Sequence, residues 1–298
     1  QRAEAANLQG LDKLMSEGVR IVELSDLPEH VAMAQQAPPA LFAWGDIDCL
    51  RRPLVAIVGT RAATTYGKAV AQKFAEALAV AGVTIVSGGA LGIDAAAHKG
   101  AIAAGGETVA VLLTGIERVY PRVHYGLFEE IKKNGCLLSQ FAVGTSTSRE
   151  YRPLIRNQTV AALSSAVIVV EAPERSGALS TAHAAVELGR QVFVVPANID
   201  NVNFRGSHAL IRDGATLVDH PHQVLEALDI VPVDRPSQSP EVTESQARIL
   251  AVLTVQPLAS EFIVERTGLD TAEVMSELTM LEVEGKVIRD AGGYAVRP

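Results

Sequence analysis

The segment VTIVSGGALGIDAAAHKG, residues 83–100, carries the pattern on which the fold prediction rests. It begins with the continuous run Val83–Val86, of the kind found in strands buried on both faces of a parallel sheet. Three glycines follow within five residues, and they allow a backbone to come close to a ligand. An alanine-rich stretch then favours a helix. The segment therefore predicts a strand, a glycine loop and a helix.

Four further apolar runs flank this segment, at Val55–Val58, Thr108–Leu113, Val167–Val170 and Val192–Val195. Between the runs, in residues 70–81 and 177–189, apolar residues recur at spacings of three and four, which is typical of helices. This alternation of strands and helices predicts an α/β fold: an extended Rossmann-like, doubly wound domain with a mainly parallel sheet, over residues 53–228.

The two ends of the chain have different patterns. Residues 1–52 are irregular and predict an N-terminal extension that packs on the core; because the chain begins with Gln1, we expect this extension to be truncated. Residues 229–242 contain three prolines and predict a linker. Residues 243–298 show three helical patterns and a hairpin, which together predict a small C-terminal winged-helix domain.

Composition and charge limit the class of protein. With 48% hydrophobic residues the chain can bury a full core, and we find neither a membrane-spanning run nor a signal peptide, so we expect a cytoplasmic protein. Its two cysteines lack the spacing of metal ligands, so no metal is expected. The net charge of −8 is unusual for a nucleic-acid binder. Residues 229–298, however, hold 12 acidic and 6 basic side chains, which leaves the first 228 residues with a net charge of only −2.

Three loops of small residues follow predicted strands, where open α/β sheets bind ligands. They are Gly59-Thr60-Arg61, Ser87-Gly88-Gly89 and Ser176-Gly177. Each leads into a predicted helix, whose first N–H groups attract anions, and the arginine of the first loop adds a bidentate phosphate donor. Neither a GxGxxG fingerprint nor a P-loop is present. A plain strand–helix connection stays open as an alternative for each loop.

An arginine cluster lies between the second and third of these loops. Arg149, Arg152 and Arg156 stand within eight residues, together with Tyr151, and Asn157 follows directly. Cations beside an aromatic ring suit single-stranded nucleic acid, whose phosphates need positive charge and whose bases need stacking surfaces. A solvated charged loop is the alternative.

Asp94 and His98 lie four residues apart on one face of the predicted helix. An acid–base pair would have this spacing, but a structural hydrogen bond or a helix cap explains it better, because no nucleophile is evident beside them. We therefore expect no catalytic residues here.

Taken together, these sequence segments resemble conserved segments of the DprA/Smf (DNA-processing protein A) family. They occur in the family's order over roughly residues 40–228. The specific segments are SGGALGID and the succession of RN, VVEA and SGAL, and HALIRDGATLV also matches. The resemblance implies a homodimer that binds single-stranded DNA in a basic pocket and loads RecA recombinase during natural transformation, with no catalytic reaction and no cofactor. It places Gly59, Thr60, Arg61, Ser87, Gly88, Gly89, Arg156, Asn157, Ser176 and Gly177 in that pocket.

The chain departs from the family's pattern at four positions. They are Gln140, Pro153, Gln158 and Ala197, where the family usually has glutamate, phenylalanine, arginine and glycine. One charge of the pocket is then missing, and Arg149 or Arg152 is expected to compensate for it.

Two other functions are compatible with parts of the sequence. A nucleotide-binding enzyme of the lysine-decarboxylase-like phosphoribohydrolase type would share the fold, but residues 176–187 lack that family's PGGxGTxxE loop. A duplex reader would use the third helix of the tail, residues 270–284, which carries five carboxylates and no lysine or arginine. Because duplex binding depends on cationic phosphate contacts, we expect the tail to contact a protein partner or to regulate.

Overall fold

The computed structural model describes residues 10–23, 27, 31, 40–146, 152–231, 243–254, 257–283, 285–290 and 292–296. The chain divides into two compact units, residues 1–237 and 238–298, and the division falls inside the predicted linker. Each unit is described by itself below.

The first unit is built on a nine-stranded sheet. Its strands are β1 (Val19–Glu23), β2 (Ala40–Gly45), β3 (Leu54–Val58), β4 (Thr84–Ser87), β5 (Thr108–Val111), β6 (Gly135–Ser139), β7 (Ala166–Val169), β8 (Gln191–Val194) and β9 (Thr216–Leu217). Their order across the sheet is β1-β2-β6-β5-β4-β3-β7-β8-β9. The seven strands from β6 to β9 are parallel, whereas β2 pairs antiparallel with β6 and β1 antiparallel with β2. This confirms the mainly parallel, doubly wound sheet.

Helices connect the strands. They are α1 (Thr65–Val80), α2 (Ile93–Ala103), α3 (Tyr125–Lys133), α4 (Arg152–Leu163), α5 (Gly177–Glu187), α6 (Arg205–Arg212) and α7 (Pro221–Ala227). From β3 the chain moves to one side of the sheet through β4, β5 and β6, then returns to the other side of β3 with β7. The order therefore reverses at β3, and open α/β sheets bind ligands at such a switch point.

Residues on both faces of the central strands are buried, as the continuous apolar runs predicted. In β3, Leu54, Ala56 and Val58 pack into one apolar cluster, and the alternate residues Val55 and Ile57 pack into a second cluster on the opposite face. The core thus lies on both sides of the sheet.

The five apolar runs that predicted strands are all strands, but four strands were missed. Two of these, β1 and β2, lie within residues 1–52 and continue the main sheet at its edge. Part of the predicted N-terminal extension therefore belongs to the sheet itself, because backbone groups of residues 42–45 pair with those of β6.

The second unit has the predicted winged-helix elements. They are α8 (Glu244–Val252), α9 (Ser260–Thr267), α10 (Thr271–Val283), β10 (Val287–Asp290) and β11 (Gly293–Val296). The three helices enclose a small core centred on Ile249, Ile263 and Leu278, and the two strands form an antiparallel hairpin. The fifth carboxylate of the predicted acidic helix, Glu284, lies outside the described residues.

Candidate functional site

A cleft of 360 Å³ opens where β3, β4 and β7 end. Its lining comes from the loops after these strands and from residues of α2, α4 and α5. The residues that line it include Gly59, Thr60, Arg61, Gly88, Ala90, Asp94, Pro153, Arg156, Asn157, Pro173, Arg175, Ser176, Gly177 and Thr181. The cleft therefore occupies the switch point of the sheet, as the order of the strands requires.

Arg156 forms the back of the cleft, and only 6% of the residue is exposed. Its guanidinium lies directly over Gly88, where a Cβ atom would overlap Nη1 and stand 2.8 Å from Nη2. Nη1 is 3.8 Å from the Oδ2 atom of Asp94 and donates a long hydrogen bond of 3.4 Å to the Val111 carbonyl. Among the described residues, no hydrogen-bond acceptor contacts its buried Nε.

The charge of Arg156 is only partly compensated. Burial lowers the pKa of the Arg156 guanidinium, the nearby Asp94 carboxylate opposes this change, and the charge of Arg61 adds to it. Since desolvation is the largest of these causes, the cleft contains a cation that lacks much of the solvation and pairing it would have at the surface.

Asp94 has a structural role in the glycine loop. Its Oδ2 atom accepts hydrogen bonds from the backbone N–H groups of Gly88, at 3.1 Å, and Ala90, at 3.3 Å. Burial raises the pKa of Asp94, whereas Arg156 and these N–H groups lower it. The carboxylate thus holds the loop against α2 and faces Arg156, as expected for a structural residue.

His98 does not pair with Asp94. Its Nδ1 atom lies 2.7 Å from Thr108 Oγ1, whose own hydrogen is donated to the Ile85 carbonyl. Burial lowers the pKa of His98 to about 3, and the charges of His124 and Arg156 act in the same direction. The imidazole is therefore neutral at physiological pH and donates from Nδ1, so the acid–base interpretation fails on geometry.

The beginning of α5 faces the cleft. Ser176 caps this helix by accepting from the Ala178 N–H, and around Gly177 there is open space. The Asn157 amide donates to Ser180 Oγ at 2.7 Å and to the Gly177 carbonyl at 3.1 Å, which ties α4 to the first turn of α5. This helix end, with its positive partial charge, is open to an anion.

The beginning of α1, in contrast, is already occupied by a carboxylate of the chain. The fully buried Glu171 accepts from the Thr64 N–H at 3.0 Å and from Thr64 Oγ1 at 2.8 Å. A Cβ on Gly67 would overlap the Glu171 Oε2 atom. The prediction that α1 offers its N-terminus to an external phosphate is therefore wrong, although Thr60 and Arg61 line the cleft.

The structure brings eight of the twelve predicted site residues together in the cleft lining. These are Gly59, Thr60, Arg61, Gly88, Arg156, Asn157, Ser176 and Gly177. Sequence reasoning missed Arg175, which also lines the cleft. Its position directly before the small residues that begin α5 was the available signal.

Ser87 and Gly89 lie behind the lining of the cleft, contrary to the prediction. Ser87 is fully buried and donates to the Ile57 carbonyl at 2.7 Å. The carbonyl of Gly89, whose φ of 65° favours glycine, accepts from His124 Nδ1 at 2.9 Å. The hydroxyl of Ser87 and the carbonyl of Gly89 are thus bonded within the protein, and both residues shape the glycine loop.

The other two predicted arginines do not contribute to the described cleft. Arg152 donates to the Ser146 carbonyl and lies over the ring of Phe141, with its guanidinium carbon 5.6 Å from the ring centre. It is not among the residues that line the cleft, so the expected compensation by this residue is not seen. Arg149 lies outside the described residues.

The four departures from the family's pattern have different surroundings. Pro153 lines the cleft, whereas Gln158 is half-buried and outside the lining. Gln140 accepts a hydrogen bond from Thr159 Oγ1 at 3.0 Å, and the Ala197 carbonyl accepts from His208 Nε2 at 3.1 Å. Only the change at Pro153 therefore alters the lining directly.

Three arginines and one helix N-terminus surround the cleft, against the single carboxylate of Asp94. Such an arrangement is suited to an anion, because guanidinium groups and backbone N–H groups are good donors to phosphate oxygens. Within the described ranges, no group of three or more histidine, cysteine, aspartate or glutamate side chains could hold a metal. Of the helices in those ranges, none is both long and apolar enough to cross a membrane.

The fold and the cleft define a Rossmann-like ligand-binding protein with a cationic cleft at the switch point of its sheet. The family model for DNA recombination-mediator protein A matches residues 19–229, and that for the DprA winged helix domain matches residues 233–293. The chain belongs to the DprA/Smf family, which confirms the resemblance seen in the sequence.

Individual relatives agree with this assignment. Protein Smf of Escherichia coli is 36% identical over 278 residues, which cover 90% of this chain and 74% of that protein. The X-ray structure of DNA processing protein A from Streptococcus pneumoniae superposes with a TM-score of 0.66 at 35% identity, covering 72% of this chain and 77% of that one. A structure of DNA processing protein A from Helicobacter pylori, which concerns the single-stranded DNA binding mode of that protein, gives a TM-score of 0.65 at 30% identity and covers 71% of this chain and 95% of that one.

Proposed function

We propose that this chain binds single-stranded DNA without catalysing a reaction, and that the cleft is where the DNA is held. The observation that carries the proposal is the buried guanidinium of Arg156, under-compensated by Asp94 and flanked by Arg61 and Arg175. The binding mode described for the Helicobacter pylori relative supports the choice of ligand.

The chemistry of the cleft favours a phosphodiester. Arginine forks and the first N–H groups of α5 can each take a phosphate oxygen, and the small residues Gly59 and Gly177 let a sugar–phosphate backbone approach closely. A volume of 360 Å³ lies at the lower end of ligand clefts, so only a short part of a strand fits inside. We propose that an unpaired strand, whose bases and backbone can turn inward, fills this cleft better than a duplex does.

The direct test is fluorescence anisotropy with a labelled oligo-dT and with a duplex of equal length. We expect the single strand to bind more tightly, with an affinity that falls as salt rises. Arg61→Ala and Arg156→Ala should each weaken binding by about 1.5–3 kcal/mol, the value of a charged hydrogen bond. Arg51→Ala is the matched control, because Arg51 is exposed and precedes β3, at the opposite end of the strand from the cleft. Equal or stronger binding of duplex would contradict the proposal.

The absence of catalysis is part of the same proposal. The carboxylate in the cleft, Asp94, holds the glycine loop through two backbone N–H groups and faces Arg156, so we assign it a structural role. Incubation with nucleoside monophosphates should release no free base. Release of base, lost in Asp94→Asn, would instead support the phosphoribohydrolase alternative.

Within the cell we propose a cytoplasmic homodimer that protects incoming DNA and loads RecA recombinase during natural transformation. Residues 207–228, which include the edge strand β9 with its exposed Leu217, are the proposed dimer surface. The acidic second unit is proposed to contact a protein. Light scattering would measure the dimer, and a RecA strand-exchange assay on DNA covered by single-strand-binding protein would measure loading.

A further inference from the structure

The loop between β5 and α3 lies beside the cleft and has no role in the function proposed above. We call residues 117–125 the Tyr120 loop. A small pocket of 70 Å³ joins the two: Arg61, Gly88, Ala90 and Arg156 line both this pocket and the cleft, while Tyr120 and Pro121 line its other side. A DNA strand held in the cleft, as proposed above, would therefore meet Tyr120 where it leaves past Arg61.

The Tyr120 loop alternates aromatic and cationic side chains on its exposed surface. Tyr120 is 44% exposed and Tyr125 62% exposed, and Arg118 and Arg122 are exposed near them. Arg118, Arg122 and Tyr125 line a shallow depression of 500 Å³. Exposed rings beside arginines are what unpaired bases and their phosphates require.

The two arginines of the loop are available to an anion. None of the ion pairs between described residues includes Arg118 or Arg122. The acidic residue of the loop, Glu117, is directed to the Gly144 N–H, from which its Oε1 accepts at 2.9 Å. Glu117 also borders the depression, so its charge reduces the positive potential there without cancelling it.

The backbone of the loop is fixed by hydrogen bonds at both ends. Thr114 Oγ1 donates to the Arg118 carbonyl at 2.7 Å, and His124 Nδ1 donates to the carbonyl of Gly89 in the glycine loop. The His124 ring also meets Phe128 edge-on, with centroids 6.2 Å apart. The exposed rings therefore stand on a preorganised support, which lowers the entropy that a ligand must remove.

We infer that the Tyr120 loop is a second binding segment for single-stranded DNA, which takes the nucleotides that continue out of the cleft. Bases stack on Tyr120 and Tyr125, and phosphates contact Arg118 and Arg122. The inference rests on the proposed function, because it continues the path of a strand held in the cleft. Continuity with the cleft and charge complementarity favour a DNA strand over a protein partner as the occupant.

The test compares short and long oligonucleotides on the full chain. A dT dinucleotide is short enough to be held in the cleft alone, and a dT 16-mer reaches the loop. We expect Tyr120→Ala/Tyr125→Ala to lower the affinity for the 16-mer at least roughly fivefold and to leave the affinity for the dinucleotide unchanged, because each stacked base contributes measurably. The matched Tyr120→Phe/Tyr125→Phe variant keeps both rings and should bind both oligonucleotides like the parent chain.

Charge is tested separately from stacking. Arg118→Ala/Arg122→Ala should make the slope of log K against log salt shallower by about 1.4 for the 16-mer, since each phosphate contact on a single strand contributes about 0.7. Arg51→Ala should leave the slope unchanged. Photocrosslinking of a 5-iodouracil oligonucleotide, followed by peptide mapping, should identify Tyr120 or Tyr125.

The outcomes separate this inference from the function on which it rests. If the parent chain binds neither oligonucleotide, the proposed function fails and the inference fails with it. If the parent binds both and the alanine variants bind the 16-mer equally well, the function stands and the inference is overturned. Equal losses of affinity for the dinucleotide and the 16-mer would show that the loop acts only by shaping the cleft, which also overturns the inference.

Discussion

The substitution Gly88→Ala tests whether the position of Arg156, rather than its charge, makes the cleft a binding site. It removes no charge and no hydrogen-bonding group. The new methyl group would overlap Nη1 of Arg156, so the guanidinium must move by about 2 Å to reach an ordinary van der Waals separation. Gly88 is not among the glycines with positive φ, so alanine can adopt the local backbone conformation.

A displacement of this size exceeds the tolerance of about 0.5 Å within which a binding group must be held. It also breaks the 3.4 Å hydrogen bond to the Val111 carbonyl and changes the 3.8 Å approach to Asp94. If one charged hydrogen bond from Arg156 to a phosphate is lost, binding weakens by about 1.5–3 kcal/mol, which is roughly 10- to 150-fold in Kd.

The assay is anisotropy with oligo-dT at fixed salt, together with urea unfolding to show that the variant is folded. The control is the double variant Gly88→Ala/Arg156→Ala. Because the alanine methyl acts through Arg156, it should cause no further loss once Arg156 is removed. Binding by a folded Gly88→Ala variant at the strength of the parent chain would refute the reasoning, and additive losses would show that Gly88 acts by another route.

Three more predictions follow from buried groups and from the tail. Because the pKa of His98 is lowered to about 3, the unfolded chain binds one more proton than the folded chain between about pH 6.5 and 3, and the free energy of unfolding falls on acidification by up to about 1.4 kcal/mol per pH unit. Urea unfolding at several pH values from about 4.5 to 7 should show that this free energy depends less on pH in His98→Gln than in the parent chain. An equal pH dependence in the two chains would contradict the assignment. Glu171→Gln should lower the free energy of unfolding in urea by about 1–3 kcal/mol, because an amide replaces the carboxylate that accepts from the backbone N–H and the hydroxyl of Thr64, the N-cap residue of α1. An unchanged free energy of unfolding would mean that these hydrogen bonds do not stabilise the start of the helix. A chain of residues 1–237 should bind oligo-dT at least as tightly as the full chain, because residues 238–298 carry 10 acidic and 5 basic side chains; loss of binding would show that the second unit contacts the DNA.

Sequence patterns predicted the parallel strands that are buried on both faces and failed at the edge of the sheet. In β1, Val19–Glu23, only two of five residues are buried, and two of the exposed ones are charged, so no apolar run marks the strand. In β2, Ala40–Gly45, there is no β-branched residue. The segment β2 becomes a strand because β6 presents a free edge to it, and β1 then pairs with β2; this tertiary effect leaves no local signal.

The site was predicted at the level of loops but not of side chains. Strand ends and small residues correctly located Gly88 and Ser176 in one cleft. The burial of Arg156 could not be predicted, because it depends on the missing Cβ of a glycine 68 positions earlier in the chain. Likewise, Glu171 at the start of α1 is a contact between residues 107 positions apart. Spacing along the sequence does not indicate which helix end is already satisfied.

The net charge of −8 is a poor guide to what this cleft attracts. At physiological salt, exposed charges beyond about 8 Å are largely screened, so a phosphate in the cleft responds mainly to Arg61, Arg156 and Arg175. Burial lowers the pKa of Arg156, which means that removal from water costs this cation more than the Asp94 carboxylate returns. A phosphate bound there, as proposed, would supply the missing counter-charge beside a buried guanidinium, so its interaction with Arg156 would be stronger than with a solvated arginine. A chain that is acidic as a whole can therefore bind an anion, provided that the fold buries a cation such as Arg156 where it lacks a full counter-charge.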